Sequence, residues 1–142
     1  MNILFSSPIF DEKCGELLSE IEMKVPAVDI EICRTTAKLS VRLHQPRFSI
    51  AVCVLWIPTE HTLNEILSLG ELFDDLPLIV ILPNRKASTV SRGFSLAPRF
   101  LCDVGENLST ITAVLEKKLS RISTFDIGDR RVGTGSDGVL RK

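Results

Sequence analysis

The sequence predicts an α/β fold: a doubly wound, five-stranded parallel sheet with helices on both faces, making a three-layer sandwich. Two observations carry that expectation. Short apolar runs alternate five times with segments whose apolar residues recur every three or four positions. Two of the runs, "IAVCVLWIP" at 50–58 and "LPLIVILP" at 76–83, have no polar face. A strand that is apolar on both sides is covered on both sides, as the inner strands of a parallel sheet are.

The elements follow in order. Residues 2–7, "NILFSS", form a first strand that runs into two serines. Ser7 before Pro8 is expected to open the first helix, with the serine as N-cap and the proline in the first turn. Phe10, Cys14, Leu17, Leu18 and Ile21 then make its apolar stripe, and Asp11, Glu12, Lys13, Glu16 and Glu20 its wet face. Pro26 closes it. Residues 28–35 alternate Val28, Ile30 and Ile32 with Asp29, Glu31 and Cys33, a strand near the sheet edge with one polar face. A short helix with Leu39, Val41 and Leu43 on its apolar side stops before Pro46.

The run from Ile50 to Ile57 is the central strand. Thr59 is placed to cap the next helix, which turns Leu63, Ile66, Leu67 and Leu69 inward, and Gly70 weakens or ends it. Residues 77–83 form the second fully apolar strand. A Ser-rich helix over 84–98 with Gly93 near its end follows, then a short strand at 99–104. Leu108, Ile111, Leu115, Leu119 and Ile122 mark the closing helix. The domain is therefore drawn over 1–123. Residues 124–142, rich in Gly, Asp and Arg, read as a flexible tail or the start of a linker.

Composition bounds the function. The chain has 142 residues, 44% apolar and 25% charged, enough for one domain with a real core. A net charge of −1 gives no electrostatic drive toward nucleic acid or an anionic membrane, and Arg130-Arg131 is too small a basic cluster to serve as an arm. The longest apolar runs fall far short of the roughly 20 residues of a membrane span. The first residues lack the charge-then-apolar layout of a secretory signal. A cytoplasmic location is expected. Cys14, Cys33, Cys53 and Cys102 are scattered, without a C-x-x-C pair, and His44 and His61 supply no partner. They read as buried apolar side chains, not as a metal site or nucleophiles. Glu71, Asp74 and Asp75 read as a solvated helix end.

In parallel sheets of this type ligands gather at the carboxyl ends of the strands. Trp56-Ile57-Pro58 after the third strand, Leu76-Pro77 opening the fourth, Phe100 in the fifth and the closing helix together resemble the receiver domain of bacterial two-component response regulators, over roughly residues 2–123. That resemblance implies an acidic pair after the first strand, an acceptor aspartate ending the third, a hydroxyl ending the fourth and a lysine ending the fifth. Carboxylates hold magnesium, the aspartate attacks phosphorus, and hydroxyl and ammonium steady the phosphoryl oxygens. Counted onto this chain, those positions are Ser6 and Ser7, Val54, Leu82 and Asp103. No Asp or Glu lies between Ala51 and Pro58, so a register slip does not supply an acceptor.

The resemblance thus implies a degenerate receiver, a pseudo-receiver: a vestigial pocket without catalytic, metal or cofactor function. Such domains act by binding a protein partner or a second copy in signalling or transcriptional regulation. The family's usual face, built from the fourth helix, fifth strand and fifth helix, would here offer Arg92, Phe94, Arg99, Lys117 and Lys118. Two alternatives stand beside it. One is a flavodoxin-like protein binding a flavin or nucleotide through "SSPIFDEKC" at a helix N-terminus. That loop has no glycine before its helix, and Pro8 removes a donor. The other is an N-terminal fragment of a larger regulator with its activity beyond Lys142.

Overall fold

The central strand determines the layout of the computed structural model. It describes residues 2–26, 28–46 and 48–131, with side chains through Leu119. The strands are β1 (Asn2–Ser6), β2 (Asp29–Cys33), β3 (Ile50–Trp56), β4 (Leu78–Leu82) and β5 (Phe100–Asp103). They form one parallel sheet in the order β2-β1-β3-β4-β5. Every residue of β3 and β4 is buried. The helices are α1 (Glu12–Lys24), α2 (Thr36–Leu43), α3 (Glu60–Leu67), α4 (Ala87–Phe94) and α5 (Leu108–Arg131), with a 3₁₀ turn at Gly70–Phe73.

Strand alternation divides the interior into two cores. Ile3, Phe5, Val52, Val54, Trp56, Ile79 and Ile81 face Cys14, Leu17 and Ile21 of α1 and Ile111, Leu115 and Leu119 of α5. Leu4, Cys53, Leu55, Leu78, Val80 and Leu82 face Leu39 and Leu43 of α2, Leu63 and Ile66 of α3, and Leu96 after α4. A period of two in the strands and 3.6 in the helices leaves no other way to bury both sets.

Thr59 caps α3 as expected, accepting a hydrogen bond from the Thr62 amide at 3.1 Å, and α3 ends before Gly70. Three expectations are corrected. The first helix begins at Glu12, not at Ser7-Pro8, because the Asp11 carboxylate accepts from the Cys14 amide at 2.9 Å and so caps it. In β2, Cys33 is buried as expected of the cysteines, but Ile32, on the face expected to be apolar, is 43% exposed near the end of this edge strand. In α2, Val41 is 61% exposed, since a period of 3.6 turns Leu39 and Leu43 inward and Val41 away. α5 runs through Ser123 to Arg131, and of the tail expected over 124–142, residues 132–142 lie outside the described residues. Glu71, Asp74 and Asp75 are exposed. No helix among the described residues is long and apolar enough to cross a membrane.

Candidate functional site

The carboxyl ends of the strands lie side by side, and their register fixes which side chains can meet. Phe5, Val54 and Ile79 are partners across β1, β3 and β4, so Val54 lies on the α1–α5 side. It is fully buried there. Leu82 is paired with Asp103 and belongs to the opposite core, beneath α2, α3 and α4. The two positions where the resemblance calls for an acceptor and a hydroxyl therefore sink into different cores. A valine and a leucine there offer neither a ligand atom nor a nucleophile.

Ser6 and Ser7 are also buried, at 5% and 0% exposure. The Ser7 hydroxyl donates to the Ile9 carbonyl at 2.5 Å, so it closes the loop after β1 on itself. Asp11 then places a carboxylate at the amino end of α1. A helix N-terminus already capped by an anion does not invite a second one. This disfavours the phosphate-loop reading of "SSPIFDEKC".

Asp103 is the charged member of the set, and its surroundings were not anticipated. Its carboxylate is ion-paired with the Arg85 guanidinium and accepts from the Gly105 amide at 2.8 Å. Arg85 also lies 3.6 Å from the Glu106 carboxylate, and the Lys13 ammonium donates to the Val104 carbonyl. Burial alone would raise the Asp103 pKa, but the Arg85 hydrogen bond, the Gly105 N–H and the charges of Arg85 and Lys13 outweigh it and hold it below the usual value. The result is a rim cluster of two cations and two carboxylates, in which the Arg85 side chain stays 71% exposed. It contains an internally neutralised acid rather than a proton donor or a free cation for phosphate.

Sequence reasoning placed Lys13 on a wet helix face and Arg85 in a Ser-rich segment. One available signal was that Arg85 stands three residues after the end of β4 while an acid ends β5. Ends of adjacent parallel strands are neighbours, so opposite charges there should meet.

The cysteines behave as apolar packing. All four are free, and burial pushes each thiol up, Cys102 to about 12, which leaves no thiolate at neutral pH. Among the described residues no three His, Cys, Asp or Glu side chains are grouped to hold a metal. An open groove of about 800 Å³ lies between α1 and the start of α5, lined by Glu12, Glu16, Glu20 and Asn107 among others, not at the strand ends.

On the β5 edge, Phe94 is 61% exposed, and Arg99 and Lys117 are exposed while Lys118 is partly covered. Arg92 is turned toward α3, where its guanidinium donates to Glu60 at 3.0 Å and to Asn64.

No protein-family model matches the chain, and no curated protein does. Solved structures do match in fold. A response regulator receiver protein from Pseudoalteromonas atlantica superposes with a TM-score of 0.67 at 12% identity, covering 86% of this chain and 99% of that one. The signal receiver domain of a DNA-binding response regulator from Colwellia psychrerythraea gives 0.65 at 13% identity, with 84% and 98% covered. A protein named for pilus assembly from Burkholderia thailandensis gives 0.59 at 13% identity, with 84% and 98% covered. At these identities the likeness establishes the receiver-like, flavodoxin-like α/β fold.

Proposed function

We propose that this chain is a non-phosphorylatable, receiver-like domain that works by binding a protein partner or a second copy of itself in signalling or transcriptional regulation. The observation that carries the reading is Val54: at the position where a receiver holds its acceptor aspartate, a fully buried valine is locked between Phe5 and Ile79. The buried serines after β1 and the Arg85–Asp103 pair support it, because neither assembles a magnesium site or leaves a cation free to meet a phosphoryl group. With the pocket filled, the surface is what remains for function. Phe94, Arg99 and Lys117 on the β5 edge are the proposed contact residues, with Lys118 at their margin. Arg92 serves instead to tie α4 to α3.

The test is incubation with a small-molecule phosphodonor and magnesium. The expected outcome is that no acid-labile, hydroxylamine-sensitive acyl phosphate forms on the chain. An acyl phosphate on any carboxylate of this domain would overturn the reading.

A further inference from the structure

The segment between β4 and α4 carries a feature that the receiver reading does not use. Residues 85–88 read Arg-Lys-Ala-Ser, with two cations at the third and second positions before a serine. Ser88 stands in the first turn of α4 and is exposed. Its hydroxyl makes no hydrogen bond to any described residue. Arg85 and Lys86 before it have side chains 71% and 70% exposed. Charge patterns of this kind are how basophilic kinases choose substrates. We propose that Ser88 is a phosphorylation site for a basophilic serine/threonine protein kinase, and that its phosphate loosens α4 from α3.

The reaction draws on a nucleoside triphosphate brought by the kinase. The bond from the γ-phosphorus to its bridging oxygen breaks and the nucleoside diphosphate leaves. A new bond forms from Ser88 Oγ to phosphorus, and the hydroxyl proton passes to the kinase's base.

Access and consequence both follow from the surroundings. A kinase needs the segment extended, and α4 is only eight residues long, with no side-chain cap at Lys86 and with Gly93 in its last turn. Such a helix opens at low cost. Once formed, the phosphoserine lies one helical turn before Arg92, so the two are neighbours on the helix surface. It also lies two residues from Lys86. Both cations are at present directed to one carboxylate of α3: Glu60 accepts from Arg92 at 3.0 Å and lies 3.8 Å from the Lys86 ammonium. A phosphate of nearly two charges competes with that single carboxylate for both.

Other serines lack this combination. Ser95 follows Arg92 by three residues, but its hydroxyl is bonded to the Arg92 carbonyl at 2.5 Å, at the helix end where a phosphate is repelled. Ser120 follows Lys117-Lys118 but lies in the middle of the 24-residue α5.

The experiment treats the folded full chain with a basophilic kinase and ATP and locates the product by tandem mass spectrometry. One acid-stable phosphoester at Ser88 is expected, absent in Ser88→Ala. Arg85→Ala with Lys86→Ala slows it on the order of tenfold or more, as loss of charge-assisted contacts does. Arg85→Lys with Lys86→Arg restores it, which separates recognition from damage to the fold. A double-mutant cycle between Glu60 and Arg92 then shows coupling before phosphorylation and none after. Phosphate found only at Ser95, Ser120 or elsewhere, or no incorporation, overturns the site. Unchanged Glu60–Arg92 coupling in the phosphorylated chain overturns the loosening. Acid stability separates this product from the acyl phosphate of the preceding test.

Discussion

Arg85 and Asp103 pair across the carboxyl ends of β4 and β5, where a guanidinium meets the one buried carboxylate among the described residues. The pair leaves the end of β5 with a carboxylate held by a guanidinium. It also makes stability depend on pH in a definite direction. The folded-state pKa of Asp103 is depressed, so its contribution is present above the unfolded value, about 3.9, and is lost as pH falls through the folded value. Thermal melts of Asp103→Asn should lie below those of the wild type at pH 7, with the gap closing toward pH 3. A gap that widened on acidification would contradict the assignment.

On the proposed reading, an aspartate installed at position 54 should not confer phosphorylation. Val54 faces the α1–α5 core among Phe5, Trp56 and Ile79, so Val54→Asp places a carboxyl group in an apolar site. We expect a loss of about 3 kcal/mol or more in urea unfolding. Val54→Ala, which only removes methyl groups, should lose about 1–2 kcal/mol. Neither variant should gain an acyl phosphate.

Trp56 is the single tryptophan of the chain and is 2% exposed, with an indole N–H that meets no described partner. Its emission should be blue-shifted and poorly quenched by acrylamide, and should move to the red in one transition on unfolding. Trp56→Phe removes the unpaired N–H along with ring volume, so the gain of about 1–3 kcal/mol offsets part of the packing loss. Trp56→Ala should cost about 3–5 kcal/mol. A loss for Trp56→Phe of about 3 kcal/mol or more would show that removing the N–H brings no such gain.

Gly93 lets α4 approach the sheet. A Cβ there would stand 3.1 Å from methyl groups of Leu82 and Leu101. In Gly93→Ala the helix-propensity gain of about 1 kcal/mol is set against a shift of those leucine ends, and the net change should stay within about 1 kcal/mol. Gly93→Val has no such room and should cost about 2–3 kcal/mol. Chemical denaturation of the two variants side by side measures the difference.

The surface reading predicts a separation of binding from folding. Phe94→Ser and Arg99→Glu change exposed side chains, so melting temperatures should move little, by the equivalent of about 0.5 kcal/mol. Self-association measured by sedimentation, or binding to a purified partner, should fall at least about tenfold for Phe94→Ser, the loss of one aromatic anchor. Unchanged association in both variants would move the interface off this edge.

The strands, their order of burial and most helices were legible because each has a local signature. A seven-residue run without a polar face can only be an inner strand, and Thr59 ahead of a 3.6-residue stripe marks its own helix. The starts of helices were less legible. Ser7-Pro8 and Asp11 both look like openings, and Asp11 caps α1 because that start leaves Phe10 free to pack against Phe5, with ring centres 6.5 Å apart. Val41 and Ile32 were misplaced because an apolar residue in an alternating pattern looks inward whether or not anything covers it.

For the candidate site, the sequence by itself determined what is absent: no acid from Ala51 to Pro58, two serines after the first strand and an aspartate ending the fifth. Those are facts of residue identity, and counting reaches them. Only the tertiary structure decided that Val54 and Leu82 drop into opposite cores, that Arg85 and Lys13 come from distant segments to enclose the end of β5, and that Arg92 turns to α3. Each of these depends on strand register and on which helix lies over which face. Contacts between residues far apart in the chain are set by the closing of the whole sheet, and local pattern does not encode them.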